Sequence, residues 1–203
     1  MAQKGRPRNY DSDRALDEIM MQFWRKGYTA TSMDDLATIT EMKKPSLYAA
    51  FGNKERLYQL AIDKFSQVAQ QRYTAALNPK YEGEPLYEKL SRFLQTAIVF
   101  YTENEGLQGC MVLSTAAAEV HHPQIQTLLS QVVCAQEKMI FDYLTREKDA
   151  LLEPATIPLL AKTLLAFLHS ISVRARAGEN KEQLSGMLDA GQQFLRFVLK
   201  IEK

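Results

Sequence analysis

Residues 31–51 read TSMDDLATITEMKKPSLYAAF, and this stretch decides the fold. Thr31 and Ser32 offer side-chain oxygens to cap a short helix, and Ser32 with Asp35 three residues on has capping-box spacing. Met33, Leu36, Ala37 and Thr40 share one side of that helix. Thr40, Glu41 and Met42 make a turn. A second helix is predicted to start at Pro45, because proline suits the first helical position and pushes Lys44 into the capping role. Leu47 and Phe51 lie one turn apart and face the core, which leaves Lys44, Ser46, Tyr48 and Ala49 outside. Asn53 caps the next helix, so its free amides and Lys54 form an anion site. Two short helices with a lysine pair entering the second fit a DNA major groove.

The flanks extend the unit. Asp11 or Ser12 caps a first helix, with Asp13, Asp17 and Glu18 near the positive end of its dipole. Leu16, Ile19, Met20, Phe23 and Trp24 form one apolar stripe, and Gly27 is a C-terminal stop. Before that helix, Lys4, Arg6 and Arg8 make a basic arm of the kind that reaches along DNA.

These residues together resemble the TetR family of bacterial transcriptional regulators. The matching elements are Phe23-Trp24, Gly27-Tyr28, Ala30-Thr31-Ser32, Leu36-Ala37, Pro45-Ser46-Leu47-Tyr48, Phe51, Asn53-Lys54-Glu55 and Leu57, with Gly5-Arg6-Pro7-Arg8 and Tyr10-Asp11 resembling the start of one branch. The resemblance implies that Thr31 and Ser32 meet phosphate at the start of helix 2. It implies that Lys43, Lys44, Pro45 and Ser46 enter the groove, while Tyr48 and Lys54 contact phosphate. Two departures stand out: Glu41 where relatives often carry glycine, and Lys43 where they often carry serine. A non-glycine residue in a left-handed turn costs about 1 kcal/mol.

The chain has 203 residues and 46% hydrophobic content, enough for a substantial helical core. Its formal charge is only +1. Residues 1–60 hold ten Lys/Arg against eight Asp/Glu, and the remainder holds 15 against 16. That small asymmetry fits a local DNA-reading patch and not a protein that coats DNA. We expect no membrane association, since no apolar run looks long enough to span a bilayer and no signal peptide is visible. Cys110 and Cys134 are too few for a disulfide framework, which points to the cytoplasm and the nucleoid.

Everything after residue 53 also reads as helix: Lys54 to Leu77, Pro85 to Asn104, Cys110 to Val120, Gln124 to about Leu151, Pro154 to Ala177, and Lys181 to Ile201. The expected architecture is all-α with about nine helices. A three-helix head (1–53, with the basic arm) would read DNA, and a larger bundle (54–203) would bind an effector and dimerise. The resemblance implies a homodimer through the last two helices. Phe167, Ile171, Arg174, Phe194 and Val198 are the candidate interface residues. A dimer places two recognition helices one DNA turn apart on a palindromic operator.

A regulator needs an input, here an unknown small-molecule effector. Phe93, Phe100, Met111, Phe141 and Phe167 are candidate pocket residues. Cys110 follows a glycine-bounded loop at a helix start, a setting that lowers a thiol's pKa and makes it a candidate sensor of oxidants or electrophiles. Cys134, in mid-helix, reads as core. No metal or cofactor is expected, and no paired acid/base set marks a catalytic centre. The function expected is a repressor released from its operator by a small-molecule or thiol-reactive effector. The alternatives are a constitutive or activating DNA-binding protein, and a helical enzyme using Cys110.

Overall fold

The computed structural model describes residues 11–104, 106–119, 121–148 and 153–201. The described residues form nine α-helices and no strand: α1 Ser12–Lys26, α2 Met33–Ile39, α3 Lys44–Phe51, α4 Lys54–Leu77, α5 Leu86–Thr102, α6 Met111–Ala116, α7 Pro123–Arg146, α8 Ile157–Arg176 and α9 Ser185–Val198. The expected all-α architecture is therefore present.

Local chemistry sets the first four boundaries. Asp11 caps α1 by accepting the amides of Asp13 and Arg14. Ser32 and Asp35 form the anticipated capping box on α2. Asn53 caps α4 through the Arg56 amide. Helix α3 differs by one residue, because Lys43 holds the N-cap position and Lys44 is the first helical residue. Lys43 makes no side-chain cap bond, so proline's fixed backbone carries the start alone.

Several later helices are shorter than the sequence periodicity predicts. Helix α6 ends at Ala116, and α9 begins only at Ser185. Ahead of α9, Asn180 and Gln183 exchange reciprocal side-chain-to-amide bonds at 2.9 Å, closing a separate turn over 181–184. A 3-10 turn, Pro154–Thr156, precedes α8. Helix α8 is by length and mean hydropathy (1.3) apolar enough to cross a membrane, contrary to expectation. Its buried face, from Leu160 through Leu164 and Leu168 to Ile171, belongs to the protein core.

One hydrophobic core runs from Ile19, Leu36 and Leu47 in the N-terminal lobe to Leu164 and Leu195 in the C-terminal lobe. Helix α4 is the shared element, packed on α1 at one side and α5 at the other. At 1.5 Å per residue its 24 residues span about 36 Å. Trp24 of α1 sets its ring edge-on against Phe65 of α4, and Phe65 stacks on Phe100 of α5. Arg92 fixes the far end of α4: its guanidinium donates to the carbonyls of Ala76 and Asn78 and pairs with Glu84. A cation there complements the negative end of the helix dipole. That pairing holds the buried Glu84 carboxyl down to about 2.

Candidate nucleic-acid interface

Helices α2 and α3 form the turn unit. Thr40 ends α2, and Glu41 follows with φ of 54°. The Glu41 amide donates to Thr38 and the Met42 amide to Ala37, the bond pair that closes a Schellman motif. Glycine normally occupies the left-handed position of that motif, and here glutamate does. Met42 is buried beneath the turn, which supplies the apolar contact that usually accompanies it.

This turn presents α3 with Leu47 fully buried and Lys43, Lys44, Pro45, Ser46 and Tyr48 exposed. Tyr48 is 48% exposed on this face. Lys44 is not idle, since its Nζ lies 2.5 Å from Asp34 of α2. The face is therefore less positive than its lysine count suggests. Asp35 points into its own helix cap, and the Ser32 amide and hydroxyl hold its carboxyl below the usual range.

Two expected phosphate contacts are differently employed. Thr31 is fully buried, and its hydroxyl donates to the Gly27 carbonyl at 2.7 Å, so it seals the C-terminus of α1 and does not face solvent. Lys54 lies 4.4 Å above the Tyr28 ring and reaches the Thr29 carbonyl at 3.5 Å. Burial lowers its pKa. Ser32 is exposed but committed to its capping box. Arg6 and Arg8 lie outside the described residues.

The sensor candidates also move. Cys110 is fully buried, and burial pushes its thiol up to about 11 even though the Val112 and Leu113 amides at the α6 start pull the other way. The expected reactive thiolate is thus overturned by desolvation. Cys134, expected in the core, is exposed. Phe93, Phe100 and Met111 are core residues, and Phe141 is 39% exposed. None of them lines the groove that does open between α4 and α7. That groove has a volume of about 320 Å³, and glutamines from both helices stand along it: Gln59 and Gln70 from α4, Gln131 and Gln136 from α7. Sequence reasoning passed over these glutamines, whose only signal is their recurrence on the faces of α4 and α7.

On the α8–α9 side, Phe167 and Phe194 are half-buried with ring centroids 5.9 Å apart. Val198 is half-buried, and Arg174 is exposed and paired with Glu179 at 2.9 Å. Ile171, by contrast, is fully buried within the single chain. The strongest unsatisfied apolar surface here belongs to residues not anticipated: Phe197 is 83% exposed, Leu159 68% and Val173 62%.

A family model described as "Bacterial regulatory proteins, tetR family" matches residues 15–61, the span from α1 into α4. Two Escherichia coli K12 proteins are similar over most of the chain. The HTH-type transcriptional repressor BdcR is 27% identical over 196 residues, covering 97% of this chain and 94% of its own. The HTH-type transcriptional repressor ComR is 29% identical over 184 residues, covering 89% and 87%. A solved structure of the TetR family transcriptional regulator CifR, a cysteine mutant complexed with 26-base-pair double-strand operator DNA, aligns with a TM-score of 0.82. It is 26% identical and covers 93% of this chain and 98% of its own. The chain carries the N-terminal regulatory domain of the TetR family. For a protein with this domain, the exposed face of α3 and the α4–α7 groove are the two surfaces to explain.

Proposed function

We propose that this DNA-binding transcriptional regulator acts as a repressor, bound as a homodimer to a palindromic operator and released when a small molecule enters the α4–α7 groove. The observation that carries this reading is the double role of α4. Its N-terminus packs against the α1–α2 turn that leads into the reading helices, through Lys54 and Tyr28, and its middle turns, from Gln59 to Tyr73, line the groove. A ligand that favours one α4 position over another thereby biases the head. Both Escherichia coli relatives are named as repressors, and CifR is held on operator DNA, which supports the same reading here.

Within this reading, residues 1–53 are the DNA-reading part, with the basic arm, Lys43, Lys44, Ser46 and Tyr48 as its contacts. Residues 54–203 carry effector binding and dimerisation. The exposed Phe197, Leu159 and Val173, with Phe194 and Val198, form the dimer face, where α8 and α9 enclose a depression of about 610 Å³. Selection of bound duplexes from random DNA with the purified full chain tests the proposal. Enrichment of a palindrome with half-sites about one helical turn apart is expected. Enrichment of a single half-site, or of nothing, overturns it.

A further inference from the structure

We propose that the α4–α7 groove takes an amphipathic primary or secondary ammonium compound, its N–H donors held by Asp63 and Ser66 and its apolar body lying toward Tyr73. This rests on the reading of that groove as the effector site.

The lining sets the charge. Asp63 is the only ionisable side chain there besides the Tyr73 phenol, and no lysine, arginine or histidine lines the groove. Among the described residues Asp63 makes no ion pair; the adjacent Lys64 turns instead to Asp17 at 2.9 Å. A carboxylate or phosphate ligand meets no counter-charge in this groove and one like charge at its mouth. A cation meets a carboxylate without a partner.

A second group sets the head chemistry. The Ser66 hydroxyl is buried, and among the described residues it has no hydrogen-bond partner. A buried polar group left unpaired is costly, and it calls for a ligand or a water. Ser66 lies three residues after Asp63, about 4.5 Å along the same helix face. One ammonium group can reach both with separate N–H donors. A quaternary ammonium has no N–H and can satisfy only the charge.

The rest of the groove sets the body. Ile62, Ala69, Leu128, Val132 and Met139 make an apolar floor. The glutamines at the rim offer both donors and acceptors without adding charge. A flat hydrocarbon body lies along this floor.

Three probes sharing one body separate the possibilities: naphthylmethylamine, its N,N,N-trimethyl analogue, and naphthylacetate, each titrated by fluorescence into the full chain without DNA. The amine is expected to bind at least tenfold more tightly than the acetate, and more tightly than the trimethyl analogue. Asp63→Asn is expected to weaken the amine about fivefold, and Ser66→Ala about threefold. Asp63→Asn should also weaken the trimethyl analogue, which loses the same charge, whereas Ser66→Ala should leave that analogue unchanged. Ala135→Phe, at the exposed rim, is expected to block all three. Tighter binding of the acetate, indifference to Asp63→Asn, or no binding of the amine overturns the ligand class. Binding that survives Ala135→Phe overturns the groove as the site. If the amine binds with the expected dependence on Asp63 but leaves DNA affinity unchanged, the ligand class stands and the proposed release mechanism fails.

Discussion

The Glu119 carboxylate holds Thr29 by two hydrogen bonds, accepting from its amide at 2.8 Å and its hydroxyl at 2.7 Å. The two residues are far apart in sequence and join the α6–α7 corner to the α1–α2 turn. His122 lies 3.6 Å from the same carboxylate, with its ring against Tyr28, on which Lys54 rests. Glu119→Ala should destabilise the protein by about 1.5–3 kcal/mol, since both bonds go to a charged acceptor. Thr29→Ala removes only the hydroxyl bond and should cost about 1 kcal/mol. Urea unfolding checks both, and an unchanged midpoint in Glu119→Ala would show the contact to be idle.

The same pair has a pH signature. Burial works to raise the Glu119 pKa, but the Thr29 hydroxyl and amide, with His122 and Lys54, outweigh it and leave the carboxyl below its ordinary 4.5. A depressed carboxyl contributes stability above its unfolded value and loses it as pH falls through its folded one. The stability gap between wild type and Glu119→Ala should therefore be constant above about pH 4.5 and close below it. A gap that widens on acidification would reverse the sign.

On the α3 face, Asp34 pairs with Lys44 at 2.5 Å, and in the proposed docking it would compete with DNA phosphate for that lysine. Asp34→Asn should strengthen operator binding several-fold at low salt. Lys43→Ala should weaken binding on every sequence and lower the salt slope by about one. Anisotropy titrations of the selected operator across a salt series measure both effects. A slope unaltered by Lys43→Ala would place that side chain away from phosphate.

Glu41 sits where its Schellman motif favours glycine. Glu41→Gly relieves left-handed strain of about 1–2 kcal/mol against an unfolded-state entropy cost of about 0.4–1 kcal/mol. A net gain near 0.5 kcal/mol is expected, with tighter DNA binding from the lost negative charge. A fall in thermal midpoint would mean that the Glu41 side chain stabilises the turn.

The two thiols should separate sharply. Cys134 is exposed, while the Cys110 thiol is buried and raised to about 11. Iodoacetamide at neutral pH should label Cys134 within minutes and Cys110 only after unfolding. Peptide mapping decides it, and early labelling of Cys110 would restore the thiol-sensor reading.

Among the described residues, Phe197 on α9 is the most exposed of the large apolar side chains. Phe197→Asp should leave helicity intact while weakening self-association by at least thirtyfold, the scale of losing one interfacial aromatic. Sedimentation across a concentration series tests it. A variant that still sediments as a dimer would move the interface elsewhere.

Local rules were legible where they act within a few residues. Asp11, Ser32–Asp35, Gly27 and Asn53 cap as their spacing indicates, because a cap needs only its own turn. Thr31 was not legible as a buried residue, since its place depends on how α1 meets α2. Cys110 shows two effects of opposite sign: the helix start was readable, but the desolvation that outranks it comes from distant chain segments. The groove failed for a related reason. Aromatic side chains gain most from complete burial, so Phe93 and Phe100 went to the core. The groove was left to glutamines, aliphatic side chains, Ser66, Tyr73 and a single aspartate.

The continuous core also bears on modularity. Phe23 and Trp24 of α1 are covered by Tyr58 and Phe65 of α4. A fragment ending at residue 53 would strip both rings of their cover and expose an apolar face where a fold should close. The smallest piece that could be transplanted onto another body extends at least through Phe65. Since Phe65 itself rests on Phe100, a chimera joined inside α4 would also have to match the ring it inherits from its new host.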